Sequence, residues 1–151
     1  RYNLALNDRD NRATVVGAAV AAEAGAVWLR RNTAMGHHLT KDPNRAGDNA
    51  LEVSAVTIDE LVARFDPTGR RPVWIKLDIE GRERAALEGA SAALSSGRVA
   101  GILWEVRAGG LVNPETGAIT ALLRGHGLIT REINEDYRLS VPAGSSTSNS
   151  A

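Results

Sequence analysis

Cysteine is absent from this sequence, phenylalanine and methionine each occur once, and only Lys41 and Lys76 among its 18 basic residues are lysines. Without cysteine there is no disulfide, no thiolate zinc site and no thiol nucleophile. The 18 acidic residues cancel the 18 basic ones, so no electrostatic footprint points to nucleic acid or to an anionic membrane surface. The scarcity of lysine beside many arginines reflects base composition and makes an arginine count a poor guide to phosphate binding. No run approaches the roughly 20 apolar residues that a membrane span needs, and the first residues do not form a signal peptide. The expectation is a cytoplasmic protein whose partner is neither a nucleic acid nor a membrane.

What is present is concentrated in one stretch. Val73, Ile75, Leu77 and Ile79 fall on one face of a strand at period two, and Trp74, Lys76 and Asp78 fall on the other. Gly81 ends the run. From Arg82 to Ser96 the recurrence of Leu87, Ala90, Ala93 and Leu94 predicts a helix closed by Gly97. The unit is strand, sharp turn, helix. It gathers Asp78, Glu80 and Glu83 at the strand's carboxyl end, the edge where ligands bind in an open α/β sheet.

The 151 residues suit one domain with its own core. Arg1 to Leu6 predicts a helix end, and Ala13 to Val20 a strand buried on both faces. Glu23-Ala24-Gly25 predicts a hairpin turn, with Ala26 to Leu29 as the returning strand. Arg31 to Ala50 is polar and predicts a long loop. Leu51 to Val56 alternates as a strand, and Thr57-Ile58-Asp59-Glu60 is a capping box for a short helix ending at Phe65. Val99 to Val106 predicts a buried strand, and Asn113-Pro114-Glu115 the start of a helix that runs to Arg124. Leu128 to Ile133 and Arg138 to Val141 predict two edge strands joined by Asn134-Glu135-Asp136-Tyr137. Residues 1–142 form the domain and 143–151 a flexible tail.

Lys76-Leu77-Asp78-Ile79-Glu80-Gly81-x-Glu83, followed by Leu87-Glu88-Gly89-Ala90, resembles the Lys-Ile-Asp-Val-Glu-Gly-x-Glu and Leu-x-Gly-Ala signature of FkbM-type S-adenosylmethionine-dependent methyltransferases. Leu4-x-Leu6-Asn7, Val15-Val16-x-x-Ala19-Val20, Val56-Thr57-Ile58-Asp59-Glu60-Leu61 and Ile102-Leu103-Trp104-Glu105 match in order, so the resemblance covers about residues 3 to 130. It implies an α/β, Rossmann-like class I methyltransferase fold with an antiparallel hairpin insertion. It also implies S-adenosylmethionine as cofactor and, as acceptor, a hydroxyl on a sugar, glycan or natural product. The family's glycine-rich Asp-x-Gly-Ala-Asn-x-Gly loop and its acidic-Pro strand end belong upstream of Tyr2 and do not occur in this sequence. The expectation is the C-terminal two-thirds of a methyltransferase domain, truncated at its N-terminus and inactive alone. Its uncovered apolar side would favour a homo-oligomer. The rival expectation is an inactive Rossmann-like remnant or binding module.

Methyl transfer to a hydroxyl needs the acceptor aligned and its proton taken up. Asp78, at the end of the central strand, is the first candidate; the alternative is that it caps the following helix. Glu105 closes the next strand and would stand beside Asp78 if the two strands are parallel neighbours; the alternative is pairing with Arg107. Glu80 belongs to the signature, although it and Glu83 can also serve the first helical turn. Lys76, mid-strand among apolar residues, predicts a carboxylate partner, Asp78 or Glu105. His37, beside His38 on the long loop, is a candidate base, and His126 is structural. No metal ligand set is predicted. By the resemblance, Ala18 and Ala19 flank the cofactor's adenine, with Asp78 also at the cofactor.

Overall fold

The computed structural model describes residues 13–30, 38–42, 44, 47, 50–106 and 114–145. Two four-stranded sheets and four helices make up these residues. The strands are β1 (Ala19–Val20), β2 (Gly25–Arg30), β3 (His38–Thr40), β4 (Ala50–Val56), β5 (Val73–Leu77), β6 (Val99–Glu105), β7 (Leu128–Glu132) and β8 (Tyr137–Pro142). The helices are α1 (Ile58–Phe65), α2 (Glu83–Glu88), α3 (Ser91–Ser95) and α4 (Pro114–Gly125).

The first sheet runs β1-β4-β2-β3. β1 lies parallel to β4, while β2 is antiparallel to both β4 and β3. The antiparallel excursion is present, but β1 and β2 do not pair with each other. Ala55 of β4 sits between them, opposite Ala19 on one side and Gly25 on the other. Only Ala19 and Val20 of the small apolar run reach β4; residues 13–17 form no strand, and Val15 is 48% exposed. The polar segment predicted as a loop contributes β3, because β2 offers it an edge. Thr57 closes the expected capping box with Glu60, their reciprocal bonds 3.1 and 2.9 Å long.

The second sheet runs β5-β6-β8-β7. β5 and β6 are parallel, joined through α2 and α3, and β8 lies antiparallel between β6 and β7. One face is packed. Leu77, Ile102, Trp104 and Leu128 meet Ala86, Leu87, Ile119 and Leu123 from the helices in a single buried cluster. Trp104 is fully buried and its indole donates to Ser140 Oγ at 3.1 Å, so the largest core side chain leaves no polar atom unmet. Truncating a fully buried leucine such as Leu87 costs about 2–5 kcal/mol.

The opposite face carries Trp74 and Lys76 of β5, Leu103 of β6, Leu139 of β8 and Ile129 of β7. Among the described residues no helix of the core cluster covers it: Trp74 is 65% and Ile129 48% exposed. Trp74 lies over Gly101, where a Cβ would stand 2.3 Å from the ring.

The predicted helix from Arg82 to Ser96 is broken in two at Gly89-Ala90. Gly89 lies against the end of β1, and a Cβ there would approach the carbonyl oxygen of Ala21 to 2.4 Å. Asp59 of α1 then supplies a second start: its carboxylate accepts from the amides of Ala92 and Ala93. The Thr57–Leu61 and Leu87–Ala90 motifs are thus two halves of one joint. Arg1 to Leu6, Asn113 and residues 146–151 of the tail lie outside the described residues.

Candidate functional site

The turn after β5 is held from within. Glu80 has φ 58° and Gly81 φ 85°, so the backbone passes through left-handed geometry at a non-glycine residue, a local strain. Glu83, 3% exposed, accepts from the amides of Ile79 at 3.0 Å and Gly81 at 3.3 Å. That carboxylate fixes the turn and belongs to its structure. The N-cap position of α2 is Arg82, which makes no side-chain cap bond. Asp78 does not cap the helix.

Asp78 instead faces across the sheet. Lys76 Nζ donates to Asp78 Oδ2 at 3.1 Å, and the hydroxyl of Tyr137 donates to the same oxygen at 2.9 Å. The ammonium of Lys76 also stands 5.8 Å from the centroid of the Tyr137 ring, within cation–π range. Lys76 has its expected carboxylate partner, but its side chain is 60% exposed, because it stands on the face without a helical layer.

Register explains the convergence. Leu77 is opposite Trp104, and Glu105 is opposite Tyr137. Asp78 and Glu105 therefore leave neighbouring parallel strands side by side, with Tyr137 next in line. Two cationic or neutral donors thus meet two carboxylates at one end of the sheet. Hydrogen bonds from Lys76 and then Tyr137 hold the Asp78 carboxyl below the usual aspartate range. The bond to Asp78 raises the Lys76 ammonium and, with some burial, the Tyr137 phenol. At neutral pH the arrangement is ammonium, carboxylate and phenol: two donors on one acceptor oxygen, with Asp78 Oδ1 left for a further donor.

Tyr137 was not visible as a site residue in the sequence. It closes a polar Asn-Glu-Asp run that reads as a turn, and its contact with Asp78 depends on β8 lying beside β6. Glu80 is placed at the strained turn, beside the Lys76–Asp78–Tyr137 group in sequence. Ala18 and Ala19 lie at the start of β1. His37 and Arg107 lie outside the described residues. His126 stands 3.4 Å from Ser95 Oγ in the turn after α4, away from the cluster.

Among the described residues three concavities lie around these elements. A cleft of about 300 Å³ follows the end of β1, lined by Val20, Ala21, Ala22, Val27, Ala85, Thr40, Lys41 and Arg82. A smaller one of about 200 Å³ lies beyond β6, among Glu83, Glu105, Glu115 and Arg84. The largest of the three, about 460 Å³, follows the outer edge of β5 against Ile58, Val62, Phe65 and Pro72. It is mostly apolar and does not reach Asp78, so volume alone does not locate the chemistry. Among the described residues no helix is long and apolar enough to cross a membrane.

Comparison with known families decides the assignment. The methyltransferase FkbM domain matches residues 1–129. The chain belongs to the FkbM methyltransferase family. This membership makes it a methyltransferase by family, and the Asp78 cluster lies within the matched segment except for Tyr137. No curated protein and no solved structure matches this FkbM-family chain significantly.

Proposed function

We propose that this domain is an S-adenosylmethionine-dependent O-methyltransferase of Rossmann-like class I architecture. Its acceptor is a hydroxyl on a sugar, glycan or natural product, and its location cytoplasmic. The observation that carries the reading is the Asp78 carboxylate, placed at the carboxyl end of parallel β5 with both its donors on Oδ2. An acceptor hydroxyl donating to Oδ1 would be oriented by that carboxylate. As its oxygen gains a methyl group the hydroxyl proton becomes strongly acidic, so even a carboxylate of lowered pKa can take it. Lys76 keeps Asp78 ionised, and Glu105 next to it can accept from a neighbouring hydroxyl of a polyol acceptor.

The residues present fit the adenine end of the cofactor. The small side chains of Ala21, Ala22 and Ala85 leave a cleft of about 300 Å³, at the lower end of small-molecule site volumes. When bound, S-adenosylmethionine supplies an electrophilic methyl group. Ala18 and Ala19 precede Val20 in the chain and are not among the walls of that cleft; the adenine-side role that the family signature implies is proposed for the segment that continues through Val20, Ala21 and Ala22. A second reading, a binding module of the same fold without transferase activity, is favoured by one observation: the glycine-rich signature is not among the 151 residues.

The two readings separate on Asp78→Asn in the protein that carries this domain. Transfer of radiolabelled methyl from S-adenosylmethionine to a panel of methyl glycosides is the assay. Turnover is expected to fall about 10²–10⁴-fold with cofactor affinity unchanged. Equal turnover in the variant removes Asp78 from the chemistry, and no transfer by the wild type to any hydroxyl favours the binding module.

A further inference from the structure

Tyr137 lies beyond the segment that matches the family, which ends at residue 129, yet the fold concentrates its polar contacts there. The backbone of Tyr137 is fixed on both sides. Its amide donates to Asn134 Oδ1 at 2.8 Å, and its carbonyl accepts from the amide of Ile133 at 3.1 Å and from Arg138 Nη1 at 3.1 Å. Arg138 is 3% exposed, and a buried guanidinium carries a desolvation cost. Arg138 also donates to the Asn134 carbonyl at 2.7 Å and pairs with Glu132 at 3.1 Å, so it clamps both ends of the hairpin tip around Tyr137.

The ring of this residue lies beside Lys76 of β5, and its hydroxyl is the part that reaches Asp78. β5 and β8 are separated by β6, a distance of about 9.6 Å at the usual strand spacing of about 4.8 Å. A serine or threonine at the tip would fall short of Asp78, whereas tyrosine spans β6 with a rigid ring and delivers one hydrogen bond of 2.9 Å. Rigid support behind a first-contact group is what a positioned site requires.

We propose that Tyr137 is a positioning residue for methyl transfer: its hydroxyl holds Asp78 by Oδ2 and presents Oδ1 to the acceptor hydroxyl. The proposal rests on the methyltransferase reading for its purpose, but the Tyr137–Asp78 coupling is measurable without it. Tyr137→Phe keeps the ring beside Lys76 and removes only the donor. Glu132→Gln loosens the Arg138 clamp while keeping the hydroxyl, and serves as the comparison for general loosening of the hairpin.

Two measurements test it, the first on this chain and the second on the protein that carries this domain. The first is the ¹³C-detected titration and side-chain rotamer of Asp78. In the wild type a single rotamer and a midpoint below the ordinary aspartate range are expected; in Tyr137→Phe the rotamer averages and the midpoint rises, while Glu132→Gln retains the single rotamer. The second is methyl transfer from S-adenosylmethionine to the same methyl glycosides. Tyr137→Phe is expected to lower kcat about ten-fold and to move the acidic limb of the rate profile upward, with KM for the cofactor unchanged. An Asp78 rotamer and midpoint identical in wild type and Tyr137→Phe overturn the proposal. The expected shift in Asp78, together with no transfer by the wild type to any hydroxyl, leaves Tyr137 as the Asp78 holder and removes the methyltransferase reading instead.

Discussion

Asp59 and Ala93 are 34 residues apart in the chain and joined by a hydrogen bond of 2.7 Å, carboxylate to amide. The other carboxylate oxygen of Asp59 takes the amide of Ala92 at 2.9 Å, and the Asp59 amide donates to the carbonyl of Gly89 at 3.0 Å. One acidic residue in the first turn of α1 therefore begins α3 and seals the break between α2 and α3. Asp59→Ala would strand two amides at that joint and is expected to cost about 1–3 kcal/mol. Chemical denaturation is the measurement, and an unchanged midpoint would show that water replaces the carboxylate without loss.

Gly89 and Gly101 give a paired test of packing. A Cβ at either meets an atom under 3 Å away, but at Gly89 that atom is the backbone oxygen of Ala21, and at Gly101 it is the far end of the exposed Trp74 ring. Gly89→Ala is expected to destabilise by about 1–3 kcal/mol. Gly101→Ala should only swing the Trp74 ring aside, with a smaller shift in Tm and a change in tryptophan fluorescence. Equal Tm losses would contradict the contrast.

Glu83 should tolerate an amide better than a methyl. Gln keeps an oxygen to accept from Ile79 and Gly81, whereas Ala leaves both amides without that acceptor in a part-buried turn that already holds Glu80 at positive φ. Glu83→Ala is expected to lose about 1–3 kcal/mol, with Glu83→Gln retaining most of the stability in the same urea titration.

Acid should weaken the link between α1 and β5. The Asp66 carboxyl lies below the usual aspartate range because the amide of Arg71 and then the hydroxyl of Thr68 donate to it, with the charge of Arg98 adding. A lowered folded value means that the contribution is complete above the unfolded value, about 3.9, and is lost as pH falls through the folded one. Asp66→Asn should therefore melt below wild type at pH 7, and the gap should narrow steadily below about pH 4. A gap independent of pH would show that the charge on Asp66 contributes nothing.

Cofactor affinity offers a fifth measurement. Among the described residues the walls around Ala21, Ala22 and Ala85 offer contacts to S-adenosylmethionine, and the family's glycine-rich signature, whose amides would meet its charged end, does not occur in the sequence. Isothermal titration of this chain is expected to show no measurable binding. Micromolar affinity would mean that Lys41, Arg82 or another group at the cleft grips the cofactor in place of that loop.

The core of this fold was legible where cause and effect are close in sequence. The β5 strand, its exit at Gly81, the capping box at Thr57 and the span of α4 all follow from local pattern, and the structure follows them to within a few residues. The split at Gly89 was not, because its causes are Ala21 and Asp59, which no window around Gly89 contains. β3 is three residues long, too short for any period, and forms because β2 has an edge to fill. Lys76 reads as buried from its apolar neighbours; a strand's pattern does not say which of its faces lacks a helix. Asp78 was legible through its motif, and Tyr137 was not, since only the order β6-β8-β7 brings it near.

The bond between Tyr137 and Asp78 closes a loop of 59 residues. Contacts that span so much chain carry a large closure entropy and form after local structure is in place. The β7–β8 hairpin and the β5-to-β6 unit can each fold on nearby contacts, but this corner of the sheet exists only when both have docked on β6. It is also the first corner to open when the hairpin detaches, at a free energy below that of global unfolding. Hydrogen exchange at the amide of Tyr137 would therefore report how often the protein visits a form that is folded and yet unable to hold Asp78.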